Sequence, residues 1–417
     1  MASCAAKIMR ILIVAPYLPW PPTSGGSAAQ LATLQCLQAD HQFTLVVPVY
    51  SSAQIEQAGE LQLRLPKIKV RAVFCGKPAE PPVKQLLRRA YQLARKFFWP
   101  KSSAAPGNEM FYPFSPLPRE LLLALNEELA AGQDICQVEF AELMPLATWL
   151  PDSITKIFIL HQLHFTYVAR FLAVHGRDAH ADYLAAWMQV QEIAYLQRYD
   201  AVIVFSENER RALAPYSEIR SVFTSPFPYL EEGESPGDAA FENKFIFVGA
   251  GGHDPNRDAM RWLVSAVWPL IRKEIPEATL VVVGEWEEAL QKDFQDSGVS
   301  FTGFVPDLGA AMRGGIMLVP LRIGGGIRTK ILSAMAQGIP VIATAIGAEG
   351  LLVTDGQDLL IRDGAGEFAG AAVQLARQPE LRETIRTTGL ATVRRHYSPE
   401  QVRTRRNEIY RLATAKK

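Results

Sequence analysis

Pro320-Leu-Arg-Ile-Gly-Gly-Gly-Ile-Arg-Thr-Lys-Ile-Leu-Ser-Ala-Met-Ala-Gln-Gly-Ile-Pro-Val-Ile-Ala-Thr344 decides the fold. The apolar run 316–320 reads as a strand and ends near three glycines, Gly324, Gly325 and Gly326. A helical stretch, 328–337, opens directly after them, and 340–344 reads as the next strand. Strand, loop, helix, strand is the repeating unit of a parallel sheet. Glycines let a backbone approach a ligand closely and turn its amides outward. The helix N-terminus adds positive partial charge. Arg322, Arg328 and Lys330 bring cations, and a guanidinium suits two-pronged contact with phosphate. The segment therefore reads as a phosphate cradle, with a plain tight turn as the alternative. It is not a Walker A loop, because the Gly-Lys-Ser/Thr ending is missing.

The same alternation extends on both sides. Upstream, 245–249, 279–284 and 300–303 are short strand-like runs, with 257–275 helical, and downstream 358–361 is a further strand candidate. An earlier array begins at 10–15 and continues through a helix at 26–39 and strands at 43–48, 157–160 and 201–205. Runs without polar alternation fit parallel strands buried on both faces. Between the arrays, 226–237 is rich in Pro, Gly and Glu and suits a linker. The fold class is thus α/β: two doubly wound, Rossmann-like domains facing a cleft, with ligands at the carboxyl ends of the strands. The expected division is 1–230, 231–398 and a terminal segment 399–417 that contains a helix candidate at 399–415.

Composition narrows the partners. The 417 residues are 48% hydrophobic and 21% charged, which suits a folded chain with a sizeable core. Lys+Arg and Asp+Glu both number 43, so the basic surplus of a nucleic-acid binder is absent. The apolar runs are too short to span a bilayer. Cys4, Cys36, Cys75 and Cys136 form no CxxC pair, so reduced thiols are expected rather than a zinc site. Lys7 and Arg10 precede Ile11–Val14 as in a secretion signal, but the run is short and passes into Pro16-Tyr-Leu-Pro-Trp-Pro-Pro22. A buried first strand is expected there, with residues 1–8 as a leader.

The stretch from Gly324 to Thr344, continued by Gly347-Ala-Glu-Gly-Leu351, resembles the signature of the GT-B glycosyltransferases of family 4. Phe245-Ile-Phe-Val-Gly249 followed by Asp254-Pro-Asn256 resembles the start of their C-terminal domain. Pro276–Gly284 and Phe301-Thr-Gly-Phe-Val-Pro-Asp307 are similar to the next two strands, and Pro19–Ser27 to the first glycine loop. The likeness is dense over 245–362 and patchy before it.

The resemblance implies a retaining transferase that uses a nucleoside-diphosphate sugar and no metal or other cofactor. The acceptor would be a carbohydrate, lipid-linked or other hydroxyl, in surface polysaccharide or glycoconjugate synthesis. It places the donor nucleotide on the C-terminal domain, the acceptor on the N-terminal one, and returns the terminal helix to the N-terminal domain. Gly249, Phe304 and Val305 then belong to the donor site, the last two beside the base. Gly324, Gly325, Gly326 and Ile327 cradle the diphosphate, with Arg328 and Lys330 neutralising it. Two departures stand out. Gly325 and Ser333 occupy positions where the family often carries glutamates, for the donor sugar and the ribose. Ala250 and Asn256 occupy those of an Arg/Lys pair that neutralises diphosphate, and Arg322, Arg328 or Lys330 would supply that charge instead.

His161 follows the strand 157–160, at a carboxyl end that faces the cleft. The resemblance gives it the donor sugar to orient, as a catalytic residue, and the alternative is a histidine bonded in a loop. For His164 the bonded-loop reading is expected. Gly25 and Gly26 offer amides to donor phosphates or acceptor, or simply a flexible turn. Glu139 reads either as an acceptor contact or as a solvated carboxylate, and Glu349 is placed to receive a sugar hydroxyl. Asp254 reads as a helix cap. Residues 81–101 combine Lys84, Arg88, Arg89, Arg95, Lys96 and Lys101 with an apolar helical face ending in Phe97-Phe-Trp99. That is either an ordinary packed helix or a contact with an anionic membrane. A cytoplasmic place follows, at the inner face of the membrane in the second case. Two other classes stay open: a transferase-like binding subunit without catalysis, raised by Gly325 and Ser333, and a nicotinamide-dependent oxidoreductase, raised by Gly249-Ala-Gly251.

Overall fold

The computed structural model describes residues 8–22, 24–76, 116–176, 178–229, 241–294 and 298–415. Residues 1–7 of the expected leader, the basic segment 81–101 and most of the linker, from 230 on, lie outside the described residues.

The first sheet contains β1 (Arg10–Val14), β2 (Gln42–Val49), β3 (Ile68–Phe74), β4 (Ile135–Glu139), β5 (Thr155–Leu160), β6 (Ala201–Val204) and β7 (Val222–Thr224). Their order is β3-β2-β1-β4-β5-β6-β7, every pair parallel. The second sheet contains β8 (Lys244–Val248), β9 (Thr279–Val283), β10 (Val299–Gly303), β11 (Gly315–Val319), β12 (Val341–Ala343) and β13 (Leu360–Ile361). Its order is β10-β9-β8-β11-β12-β13, again all parallel. The continuous apolar runs become the central strands: β1, β4, β5, β6 and β11 are buried along almost their whole length. In both sheets the strand order reverses beside the first strand, between β1 and β4 and between β8 and β11. Crevices that take ligands form at such reversals.

The helix expected at 257–275 is broken into Asp254–Trp262, a wide π turn Leu263–Val267 and Trp268–Glu274. Pro269 has no N–H to give to the preceding turn, and the backbone widens just ahead of it. Pro399–Ala415 is one helix, and it packs on the first domain. Arg403 and Asn407 both bond Asp40, Asn407 also meets His41, and Arg405 donates to the Thr224 carbonyl at 3.2 Å. This helix therefore ties the second array back to the first domain.

Candidate functional site

Carboxyl strand ends of the first sheet, among them those of β1, β4 and β5, meet those of β8 and β11. After β1 the chain runs to Ser24, whose side chain caps the helix Gly25–Leu37 by accepting from the Ser27 amide. After β4 comes Phe140, and after β5 come His161 and Gln162. From the second sheet, the turn after β8 brings His253, and the loop after β11 brings the three glycines. These surround a cavity of about 390 Å³, lined among others by Ser24, Gly26, His161, His253, Gly325 and Thr329. A second cavity of about 490 Å³ continues from it past Thr329 towards Pro306, Ser333 and Gln337.

The glycines are required by geometry. Gly324 and Gly326 adopt φ of 146° and 69°, where side chains are strained. A Cβ on Gly326 would stand 2.5 Å from the His161 carbonyl oxygen. A Cβ on Gly25 would stand 2.9 Å from Thr329 Oγ1. Gly326 thus lets its loop approach the His161 backbone across the cleft, and Gly25 lets the opposite loop approach the Thr329 side chain. Gly325 faces Gln162, whose side chain lies 3.4 Å from where its Cβ would be. Ile327 lines the cavity and packs on the core.

The three cations of the loop go to three places. Arg328 folds back and donates to the Gly325 and Gly326 carbonyls, the latter at 2.6 Å, bracing the loop from beneath. Burial lowers its pKa to about 10. Arg322 is held by a two-pronged ion pair with buried Asp258, at 3.0 and 2.5 Å. Lys330 reaches across to β8, donating to the Val248 carbonyl at 2.6 Å and to Asn256 Oδ1 at 3.2 Å. Burial, helped by the Arg328 charge, lowers its pKa to about 7. Its ammonium thus stands beside Asn256, one of the two places where the resemblance leads one to look for a cation.

His161 is nearly buried. Its Nε2 lies 3.2 Å from Glu139 Oε2, and its ring stacks on Phe140 at 3.8 Å between centroids. Phe140 holds that position at φ 68°, a conformation that side chains seldom adopt and that concentrates at functional sites. Glu139 is a buried hydrogen-bonding partner, so the solvated-carboxylate alternative is overturned. His164 also borders the cavity, but its backbone N–H donates to Glu192, and burial lowers its pKa to about 4. Glu349 is clasped by Arg170 at 2.5 and 2.7 Å, and Arg170 also donates to the Gly324 carbonyl at 2.8 Å. Phe304 is 75% exposed on the loop after β10, and Val305 is half-buried beside it. Asp254 pairs with Arg257. Gly249 is packed against Asn256, and its carbonyl accepts from Trp286 Nε1 at 2.7 Å.

Sequence reasoning missed Arg170 and Phe140. Arg170 is a single arginine in a helix, 179 positions from its partner, and no local pattern marks it. Phe140 directly follows a strand, which is a signal of place but not of role. Among the described residues no three His, Cys, Asp or Glu side chains converge as a metal site would need. No helix among them is long and apolar enough to cross a membrane.

Residues 242–378 match the family model described as glycosyl transferases group 1. A phosphatidyl-myo-inositol mannosyltransferase of Mycobacterium leprae is 32% identical over 155 residues, 35% of this chain and 41% of that protein. An uncharacterized 44.6 kDa protein in the cps region of Klebsiella pneumoniae is 22% identical over 167 residues, 38% of this chain and 43% of that protein. The chain thus matches less than half the length of these curated relatives. Among solved structures, TarM has a TM-score of 0.70 at 11% identity, covering 98% of this chain and 99% of that one. Sucrose-phosphate synthase of Thermosynechococcus elongatus has 0.64 at 16% identity, covering 98% and 100%. HepE of Anabaena, solved with UDP and glucose, has 0.63 at 13% identity, covering 97% and 100%. The chain has the GT-B fold. Its second domain is related to the group 1 glycosyl transferases.

Proposed function

We propose that the protein is a retaining glycosyltransferase that moves a sugar from a nucleoside-diphosphate donor to an acceptor hydroxyl. One observation carries this reading. The glycine loop after β11 and the N-terminus of the helix Thr329–Ala336 open onto the same cavity as His161, with Lys330 just behind. Exposed amides, a helix N-terminus and an ammonium in one crevice suit a diphosphate whose charge grows as the glycosidic bond breaks. The nucleoside would continue into the larger cavity, past Ser333 and towards the loop that bears Phe304 and Val305. Gly25 and Gly26 would meet the donor or acceptor from the opposite wall. Lys330 supplies the charge at the Asn256 position, and Arg328 holds the loop in shape. With no carboxylate pair free at the cleft among the described residues, the departing phosphate would take the acceptor proton.

The TarM structure solved with UDP and α-GlcNAc-glycerol, and the HepE structures solved with UDP or UDP-glucose, support a uridine nucleotide as the first donor to try. The mannosyltransferase relative supports a lipid-linked acceptor, for which residues 81–101 are the candidate membrane contact. The proposed division remains 1–230, 231–398 and 399–417.

The test is turnover of UDP-, GDP-, dTDP- and ADP-sugars by the full chain with simple glycosides and lipid extracts as acceptors. Proton NMR of the product reads its anomeric configuration. Retention is expected. Inversion would contradict the retaining assignment, and binding without turnover across the panel would favour the binding-subunit reading.

A further inference from the structure

Behind His161 runs a line of buried polar side chains that ends on the terminal helix. β4 lies beside β5 with Gln137 opposite Ile157 and Glu139 opposite Ile159. Residues two apart share one face of a strand, so Gln137, Glu139 and the position of His161 come to the same side of the sheet. The terminal helix crosses that side and brings Tyr410, 273 positions after Gln137. The Tyr410 hydroxyl donates to Gln137 Oε1 at 2.7 Å. The Gln137 amide donates to Glu139 Oε1 at 2.7 Å. Glu139 Oε2 lies 3.2 Å from His161 Nε2. Tyr410, Gln137 and Glu139 are each at most 4% exposed.

With Glu139 ionised and His161 neutral, donor and acceptor chemistry orders the protons along this line. An ionised carboxylate only accepts, so the NH₂ of Gln137 must face Glu139 and its carbonyl must face Tyr410. Burial raises the Tyr410 pKa to about 12, so its hydroxyl keeps the proton that it donates. For the same reason His161 must carry hydrogen on Nε2 to reach Glu139. A neutral imidazole has one N–H, so Nδ1 then carries the lone pair. In buried networks a fully satisfied chain of hydrogen bonds restricts orientation strongly.

We propose that Gln137 and Tyr410 are positioning residues: acting through Glu139, they hold His161 in its Nε2–H tautomer and leave Nδ1 to accept a hydrogen bond from a substrate hydroxyl. The terminal helix then does more than tie the ends of the fold together, because it aligns a group at the cleft. The role for Nδ1 rests on the proposed sugar-transfer reading. The tautomer does not.

The experiment uses the full chain labelled with ¹⁵N-histidine. Imidazole nitrogen spectra are collected upward from pH 7 until the shifts stop moving, with the His161 signals assigned by their loss in His161→Gln. The wild type is expected to show one protonated Nε2 and one bare Nδ1. Tyr410→Phe removes a single oxygen from the line, and Gln137→Met breaks it from the other side if the first variant folds poorly. Each is expected to turn the single tautomer into a mixture. With an active donor, each is expected to lower kcat about tenfold while the donor KM stays within about twofold, as loss of an outer partner does. A wild-type Nδ1–H tautomer, or variants that keep a pure Nε2–H form, would overturn the proposal. Failure to find a nucleotide-sugar substrate would count against the transfer reading alone, since the tautomer is read without turnover.

Discussion

Two glycine turns of the second domain look alike on paper and differ in what fills them. Gly249-Ala-Gly251 follows β8, and Gly324-Gly-Gly326 follows β11. Each lies between a strand and a helix. At the first, a Cβ on Gly249 would meet the Asn256 side chain at 2.6 Å, and one on Gly251 would meet Trp286 at 2.7 Å. The protein's own side chains occupy that space, and Trp286 Nε1 bonds the Gly249 carbonyl. At the second, Gly325 and Gly326 face the other domain and the cavity, whereas Gly324 is packed against Arg328. A glycine turn earns a ligand only where its close approach is towards a crevice. Here that condition is met after β11, and the half-complete dinucleotide pattern after β8 is used for packing.

The comparison breaks most easily at Gly326. Gly326→Ala puts a side chain at φ 69° and against the His161 carbonyl. Donor affinity is expected to fall at least about a hundredfold, while thermal unfolding shifts by the modest amount that a strained residue costs, about 1–3 kcal/mol. Equal Kd values for variant and wild type, measured by calorimetry, would remove the loop from the donor site.

Lys330 sharpens the comparison next, because it spans from one turn to the other. Lys330→Gln should weaken donor binding about tenfold, near the 1.4 kcal/mol of one charge-assisted contact. Its pH dependence has a definite sign. With the Lys330 pKa lowered to about 7, the free protein loses the ammonium as pH rises through neutrality. Donor affinity should therefore fall between pH 6 and 8.5 in the wild type and stay flatter in Lys330→Gln. A wild-type affinity that rises with pH would contradict this placement.

The smallest effect belongs to the packed turn. Trp286→Phe keeps an aromatic ring but removes the N–H that serves the Gly249 carbonyl. Stability should drop by about 1 kcal/mol, the usual cost of one lost hydrogen bond. Donor Kd should not move, and a large change in it would erase the distinction between the turns.

Much of this was legible because it is written locally. The glycine loop, the strand before it, the helix after it and Pro399–Ala415 all appear in contiguous residues. His161 could be placed because it follows an unbroken apolar strand. Pairing was not legible. Three cations cluster within nine residues at the loop, yet only the folded chain sends Arg322 to Asp258, Arg328 to the loop carbonyls and Lys330 to β8. Arg170 and Glu349 meet across the two domains with nothing local to announce it. The π turn at Leu263–Val267 could have been foreseen from Pro269, but hydrophobic periodicity runs through it. Lys69 and Arg71 hide β3, and Gln137 and Glu139 interrupt the apolar pattern of β4, which shows in the sequence only as a strand leading up to Glu139. Two of those four, Gln137 and Glu139, prove to stand behind His161.

The central claim is that the crevice between the glycine loop and His161 holds a nucleoside-diphosphate sugar. Its most direct test is titration calorimetry of the full chain with UDP-, GDP-, dTDP- and ADP-sugars, with NAD as control and Gly326→Ala beside the wild type. The account predicts one-to-one binding of at least one sugar nucleotide, lost in the variant, and no heat with NAD. Binding of NAD alone, or sugar-nucleotide binding equally strong in Gly326→Ala, would contradict it.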